Sequence, residues 1–225
     1  MNPPTTPMAH MHEDHDWRDE IWNALTHGVG FLLALIACAV LITLAAIHGN
    51  GWQLAGAIVY GLSLSLLYLA STLYHSVPHA LAKSRLKVLD HCAIFILIAG
   101  TYTPFTLIGL RGHGGGWLFA AVWTLATLGI LFKLAYTGRF KGASTLIYLG
   151  MGWMALTAAR PMLERIPMAT LLWLLAGGLA YSLGTIFYMS HRRHAHAIWH
   201  GFVILGSGCH FVAVSMQVLG VATPP

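Results

Sequence analysis

The sequence predicts an all-α protein, a bundle of seven transmembrane helices, on three observations. Of its 225 residues 57% are hydrophobic and only 8% charged, against roughly 25% charged in a soluble domain, so polar side chains are too few to cover a soluble globule. Apolar segments recur near the length of about 20 residues that a helix needs to cross a hydrocarbon core of about 30 Å. Short stretches rich in glycine, proline, histidine and charge separate them.

Residues 1–19 precede the first segment. "MNPPTTPMAHMHEDHDWRDE" has prolines and acids where a signal peptide would have a basic end and an apolar centre. It reads as a flexible cytoplasmic tail, and His10, His12 and His15 as solvated members of it rather than a metal site. Residues 20–225 then form one helical domain with no internal repeat.

The spans run near Trp22 to Ile47, Trp52 to Tyr74, Val88 to Leu110 and Trp117 to Tyr136, followed by Ala143 to Ala159, Met168 to Met189 and Ile198 to Leu219. The fifth is the shortest. The turn signals between them are "HGNG", "SVPHALAKSR", "RGHGGG", "TGRFKG", "RPMLERIP" and "SHRRHAHA".

Lysine and arginine then orient the bundle, because they gather in short cytoplasmic loops. With the N-terminus in the cytoplasm, that side collects Arg18, Lys83, Arg85, Lys87, Lys133, Arg139, Lys141, Arg192 and Arg193. The opposite side keeps Arg111, Arg160 and Arg165, so the C-terminus is expected outside. These cations are dispersed over several loops, without the interleaved aromatics of a nucleic-acid surface, and nucleic acid is not an expected partner. Cys38, Cys92 and Cys209 are isolated thiols within or beside apolar runs and form no disulfide framework.

In this topology Glu20 and His27 begin the first span and Ser71 and His75 end the second. Asp90 and His91 begin the third, and His196 and His200 the seventh, all at the cytoplasmic side. Polar side chains at membrane depth are costly unless they face the bundle interior and find partners. His196 and His200, four residues apart, share a helix face and can share a metal ion. His75, ending a neighbouring span, would complete three nitrogen ligands and leave a fourth position open, as in catalytic zinc sites. Asp90 would be the carboxylate that holds or deprotonates the water such a metal activates. Three imidazoles suit zinc, and also iron, copper or nickel.

Each residue also has an ordinary reading. Ser71 could be a small packing residue between helices, and Glu20 could complement the positive N-terminal end of its helix. His79, His91, His191 and His194 are assigned to wet, basic surface. Together, a histidine pair, a third histidine and an aspartate at one membrane face favour a metal.

Four strings, "EIWNALTHGVG", "STLYHS", "LDHCAIFILIAGTYTPF" and "HAIWHG", resemble the haemolysin III branch of the progestin and adiponectin receptor family, over nearly the whole chain from Asp19 onward. Three patterns carry the likeness: Glu20, Asn23 and His27; Ser71 and His75 followed by Asp90; and His196 and His200.

The resemblance implies a seven-helix bundle in the cytoplasmic membrane, with zinc held by His75, His196 and His200 near the cytoplasmic face. It implies Asp90 reaching the zinc through water, Ser71 beside it, and Glu20, Asn23 and His27 as an outer shell of motif residues. The resemblance extends to receptors of this family and the related alkaline ceramidases, which look like hydrolases that cleave lipid amides at such a zinc. The expected function is therefore zinc-dependent hydrolysis of a lipid amide or ester, with a role in membrane lipid homeostasis. Asp90 would be the general base, and Ser71 would orient it or the developing oxyanion. The alternatives are a receptor or membrane-stress sensor with structural zinc, and a haemolysin-type pore, against which no span carries a regular polar stripe.

Overall fold

The computed structural model describes residues 17–136, 139–190 and 192–220. Among them the chain is all helical, without strands. Helices α1 (Trp17–His48), α2 (Gly51–Ser76), α3 (Ala80–Pro104) and α4 (Gly115–Tyr136) follow one another through short turns. Next come α5 (Lys141–Gly152), a 3-10 stretch (Trp153–Ala158) and α6 (Ala159–Arg165), and then α7 (Met168–Tyr188) and α8 (Ala195–Leu219). The tail histidines His10, His12 and His15, together with His191 and Pro225, lie outside the described residues.

Among the described residues six helices are long and apolar enough to cross a membrane: α1, α2, α3 with its continuation to Gly109, α4, α7 and α8. Large apolar side chains such as Leu32, Ile36, Leu62 and Ile186 are exposed on their outer faces, where lipid rather than water would meet them. The molecule is a multi-pass membrane protein.

Local chemistry accounts for the helix ends. Asn50 caps α2: its side-chain oxygen accepts from the amides of Trp52 and Gln53, while the Gln53 side chain accepts from the Asn50 amide. Pro104 closes α3, and a single π turn (Phe105–Gly109) leads into the glycine turn before α4. Gly112 and Gly114 there adopt φ of 77° and 90°, which side chains with a Cβ resist.

The expected fifth span, Ala143 to Ala159, is the one the structure breaks. α5 has 12 residues and α6 has 7, joined by 6 residues of 3-10 helix. The break has a cause on α3. The Tyr102 hydroxyl lies 2.9 Å from the Met151 carbonyl and 2.8 Å from that of Gly152, and it accepts from the Ala155 amide at 2.8 Å. A side chain inserted into the backbone ladder is a recognised origin of such a kink. Lys141, where the segment starts, donates to the carbonyl of Tyr188 at the end of α7. Arg165, where it ends, meets His113 in the turn before α4.

The helices are buried unequally. The apolar windows of α2 and α3 are 56% and 61% buried, while those of α1, α4 and α7 lie between 22% and 28%. α2 and α3 therefore form the centre of the bundle, with α1 and α8 packed on α2 and α7 packed on α8. The buried positions of α1 show the packing rule: Asn23, His27, Gly30, Ala34, Cys38, Leu41 and Ala45 recur every three or four residues as one stripe. At Gly30 a Cβ would stand 2.7 Å from the Tyr68 ring, so the missing side chain lets α2 approach. That places Tyr68 edge-on against His27, one turn before Gly30.

Candidate metal centre

Four helix ends meet at the face where α1 begins. The stripe of α1 brings Asn23 and His27 inside, both 4% exposed. α2 ends with Ser71 and His75 buried on one face, and α8 begins with His196 half-buried and His200 buried. The ligand nitrogens of His75, His196 and His200 lie within 4.8 Å of one another. Their ring centroids are 5.1 Å apart for His75 with His196, 5.1 Å for His75 with His200 and 4.6 Å for His196 with His200. The structure thus brings His75 beside the histidine pair of α8.

The orientation of these rings is fixed from outside. Glu20 Oε2 is 2.9 Å from His75 Nδ1, so the ring donates there and its Nε2 is left as the electron-pair donor. That Nε2 is buried and has no hydrogen-bond partner, a costly state for a polar nitrogen. Lys83 Nζ donates to the same Glu20 oxygen at 2.9 Å. On the far ring, Thr26 Oγ1 lies 3.2 Å from His200 Nδ1. Three imidazoles with one nitrogen buried and unpartnered, backed by a carboxylate and a hydroxyl, fit a zinc ion: carboxylate–histidine pairs of this kind orient metal ligands.

The other motif residues take distinct places. Ser71 and Asp90 both line the cavity that opens beside the cluster. His27 lies flat on His200, centroids 3.5 Å apart and planes 13° from parallel. Neither His27 ring nitrogen has a hydrogen-bond partner, nor does Asn23 Oδ1. His27 therefore wedges His200 from the α1 side.

Three residues stand out that spacing did not select. Thr26 and Lys83 touch the cluster only through tertiary contact, although Thr26 sits between the motif residues Asn23 and His27. His91, assigned to wet surface, has a side chain only 13% exposed. Its Nδ1 donates to the Lys87 carbonyl at 2.6 Å, and its Nε2 faces the Tyr188 hydroxyl at 3.4 Å. His194 is partly exposed as expected, yet its Nδ1 lies 2.6 Å from Asp19, tying the turn before α8 to the start of α1. His79 caps α3 through the Ala82 amide at 3.4 Å.

A cavity of about 730 Å³ opens from the cluster into the bundle. Ser71, Asp90, His196 and His200 line its polar end, and Leu97, Ile98, Tyr102 and Phe105 its middle. Leu156, Leu163, Leu172 and Leu175 line it as well, and they are 64%, 62%, 58% and 47% exposed on the lipid-facing surface. The cavity thus reaches the bilayer side of the molecule between the broken fifth segment and α7.

Comparison with known proteins agrees in extent with this architecture. Residues 15–211 match the family model described as "Haemolysin-III related". The chain is 46% identical over 207 residues to "Hemolysin-3" of Bacillus cereus, covering 92% of this chain and 94% of that one. It is 46% identical over 198 residues to "Hemolysin-3 homolog" of Bacillus subtilis (strain 168), covering 88% and 93%. A more distant likeness, 28% over 201 residues, is to human "Monocyte to macrophage differentiation factor", covering 85% and 81%.

Proposed function

The chain belongs to the haemolysin III-related family, a branch of the progestin and adiponectin receptor family, and from that premise we propose that it is a zinc-dependent hydrolase of a lipid amide or ester in the cell membrane. The observation that carries this reading is the cavity joining the histidine cluster and Asp90 to lipid-facing leucines. A structural metal needs no such space; an acyl lipid substrate does.

His75, His196 and His200 are the residues that would hold the zinc, with Glu20 and Thr26 fixing the tautomers of His75 and His200. Bound zinc supplies a Lewis acid for the substrate carbonyl and activates water at neutral pH. Asp90 takes the proton of the attacking water and returns it to the leaving amine or alcohol. Ser71, beside Asp90 at the polar end of the cavity, orients that carboxylate or the developing oxyanion. The apolar middle of the cavity receives the acyl chain, which enters sideways between the fifth segment and α7, and its walls keep bulk water from the reaction.

The reading includes seven crossings with the N-terminus in the cytoplasm. Run end to end, the segment from α5 to α6 would measure about 40 Å, enough to span. Its contacts support that count, with Lys141 beside the end of α7 and Arg165 beside the turn before α4, at opposite ends of the bundle. The lysine and arginine asymmetry supports the orientation. The name "Hemolysin-3" of the relatives suggests a pore instead. The apolar walls at Leu97, Ile98, Phe105, Leu110 and Leu118 weigh against an aqueous path through this cavity.

The test is zinc content and acyl-lipid turnover on one detergent-purified preparation. Zinc retained, with fatty acid released from an amide or ester and release lost in Asp90→Ala, is the expected result. Full zinc with no release from any acyl lipid would leave the sensor reading instead.

A further inference from the structure

Beyond the histidine end, the wall of the cavity is apolar except at a few polar side chains, and most of these spend their hydrogens within the fold. Thr101 donates to the Leu97 carbonyl, and the Tyr102 hydroxyl contacts the carbonyls of Met151 and Gly152. The Trp153 indole donates to Ser182, which in turn donates to the Gly178 carbonyl. Tyr181 of α7 and His210 of α8 line the same cavity and keep bonding capacity to spare.

His210 stands about 15 Å beyond His200 along α8 and about 14 Å before Leu219, near the middle of the bilayer. A histidine at that depth is costly and marks function. Its Nε2 lies 3.2 Å from the Leu174 carbonyl, which can only accept, so Nε2 carries the hydrogen of the neutral ring. Nδ1 then keeps its lone pair, and no hydrogen bond to it occurs among the described residues. The Tyr181 and Ser207 hydroxyls are 2.7 Å apart, and whichever donates, the Tyr181 oxygen can make one further bond. Two glycines hold the rings in place. A Cβ at Gly177 would fall within the His210 ring, and one at Gly206 would stand 2.8 Å from the Tyr181 ring, so each helix leaves a notch for the other's side chain. The two rings sit 5.3 Å apart, centroid to centroid.

We infer that Tyr181 and His210 form a subsite midway along the cavity that selects an acyl chain bearing a hydroxyl group part-way down its length. The hydroxyl donates to His210 Nδ1 and makes its second hydrogen bond with Tyr181. This rests on the lipid-cavity reading above, though not on the zinc chemistry, and names a feature of the lipid taken. A lone water is a poorer occupant, because it needs about two to four polar partners. The methylenes on either side of a chain-borne hydroxyl instead cover the apolar wall at Leu171 and Leu174. An acceptor and a hydroxyl already fixed by the glycine notches bind such a group with little loss of side-chain freedom.

The experiment measures equilibrium binding of monoricinolein and monoolein, which differ by one hydroxyl far along the acyl chain, to the purified full chain in detergent. Fatty acid release is followed in parallel. Monoricinolein should bind about fivefold more tightly, the net worth of one buried hydrogen bond. Tyr181→Phe, which keeps its ring in the Gly206 notch, and His210→Gln should each abolish that preference and leave monoolein binding unchanged. Thr101→Val, at a hydroxyl whose hydrogen is already spent, should retain the preference. If His210→Gln does not fold, Tyr181→Phe decides. Equal binding of the two lipids by the parent, or a preference that survives Tyr181→Phe, overturns the inference. Binding of neither lipid removes the lipid-cavity reading and this subsite with it. A hydroxyl preference without any fatty acid release would instead remove the hydrolase reading and leave the subsite standing.

Discussion

One oxygen of Glu20 is shared between His75 Nδ1 and Lys83 Nζ, each at 2.9 Å. A residue at the start of the first helix thereby sets the ring of a histidine at the end of the second, and the start of the third helix secures the carboxylate. This couples the correct docking of three helices to the aim of one imidazole nitrogen.

Glu20→Ala is accordingly expected to lower zinc affinity by about 10- to 100-fold without touching a ligand. Lys83→Met should have a smaller effect in the same direction. Competition of each variant against a zinc chelator measures both, and a Glu20→Ala protein with parental affinity would refute the positioning role.

Substituting His200 by alanine should remove most bound zinc from a parent that carries about one ion per chain, because two imidazoles leave the coordination incomplete. Elemental analysis of the purified variant is the check. Full occupancy would show that the cluster is not the site.

Asp90→Ala should keep its zinc and lose turnover by about 10²- to 10⁴-fold, the usual worth of a general base. A direct ligand would instead lose the metal together with the activity. Turnover equal to the parent would remove Asp90 as the general base.

The tail and the final residues should lie on opposite sides of the membrane. A reporter active only outside the cytoplasm should work when fused after Pro225 and fail when fused before Met1. Activity at both ends would break the count of seven crossings.

Tyr102→Phe removes the hydroxyl that accepts from the Ala155 amide and contacts the Met151 and Gly152 carbonyls. Hydrogen bonds between membrane helices are worth about 1 kcal/mol or less, so the thermal midpoint in detergent should fall by about 2–4 °C. Tyr136→Phe, at an exposed position, should not move it.

Much of the bundle was legible in the chain because a bilayer demands long apolar helices, and such helices are visible as composition. The six long helices among the described residues fall where hydropathy puts them, except that α3 begins at Ala80, eight residues before the expected Val88, because the basic stretch read as a turn is its first two turns. The fifth segment differs because its break depends on Tyr102, 53 residues before Ala155, which no local pattern reveals. His91 was misjudged for a related reason. Beside Asp90 and a basic turn it reads as surface, but its ring bonds back to the Lys87 carbonyl and turns toward Tyr188 on α7.

The sequence by itself determined the helices, their polar ends and the ligand pair on α8, since spacing within one helix places His196 and His200 on one face. Only the tertiary structure decided that His75 joins them and that Glu20 and Thr26 aim His75 and His200. Those relations join residues of different helices, whose distances depend on how the helices cross and rotate. Small residues such as Gly30 and inserted side chains such as Tyr102 set that packing, by close approach that a one-dimensional pattern does not encode.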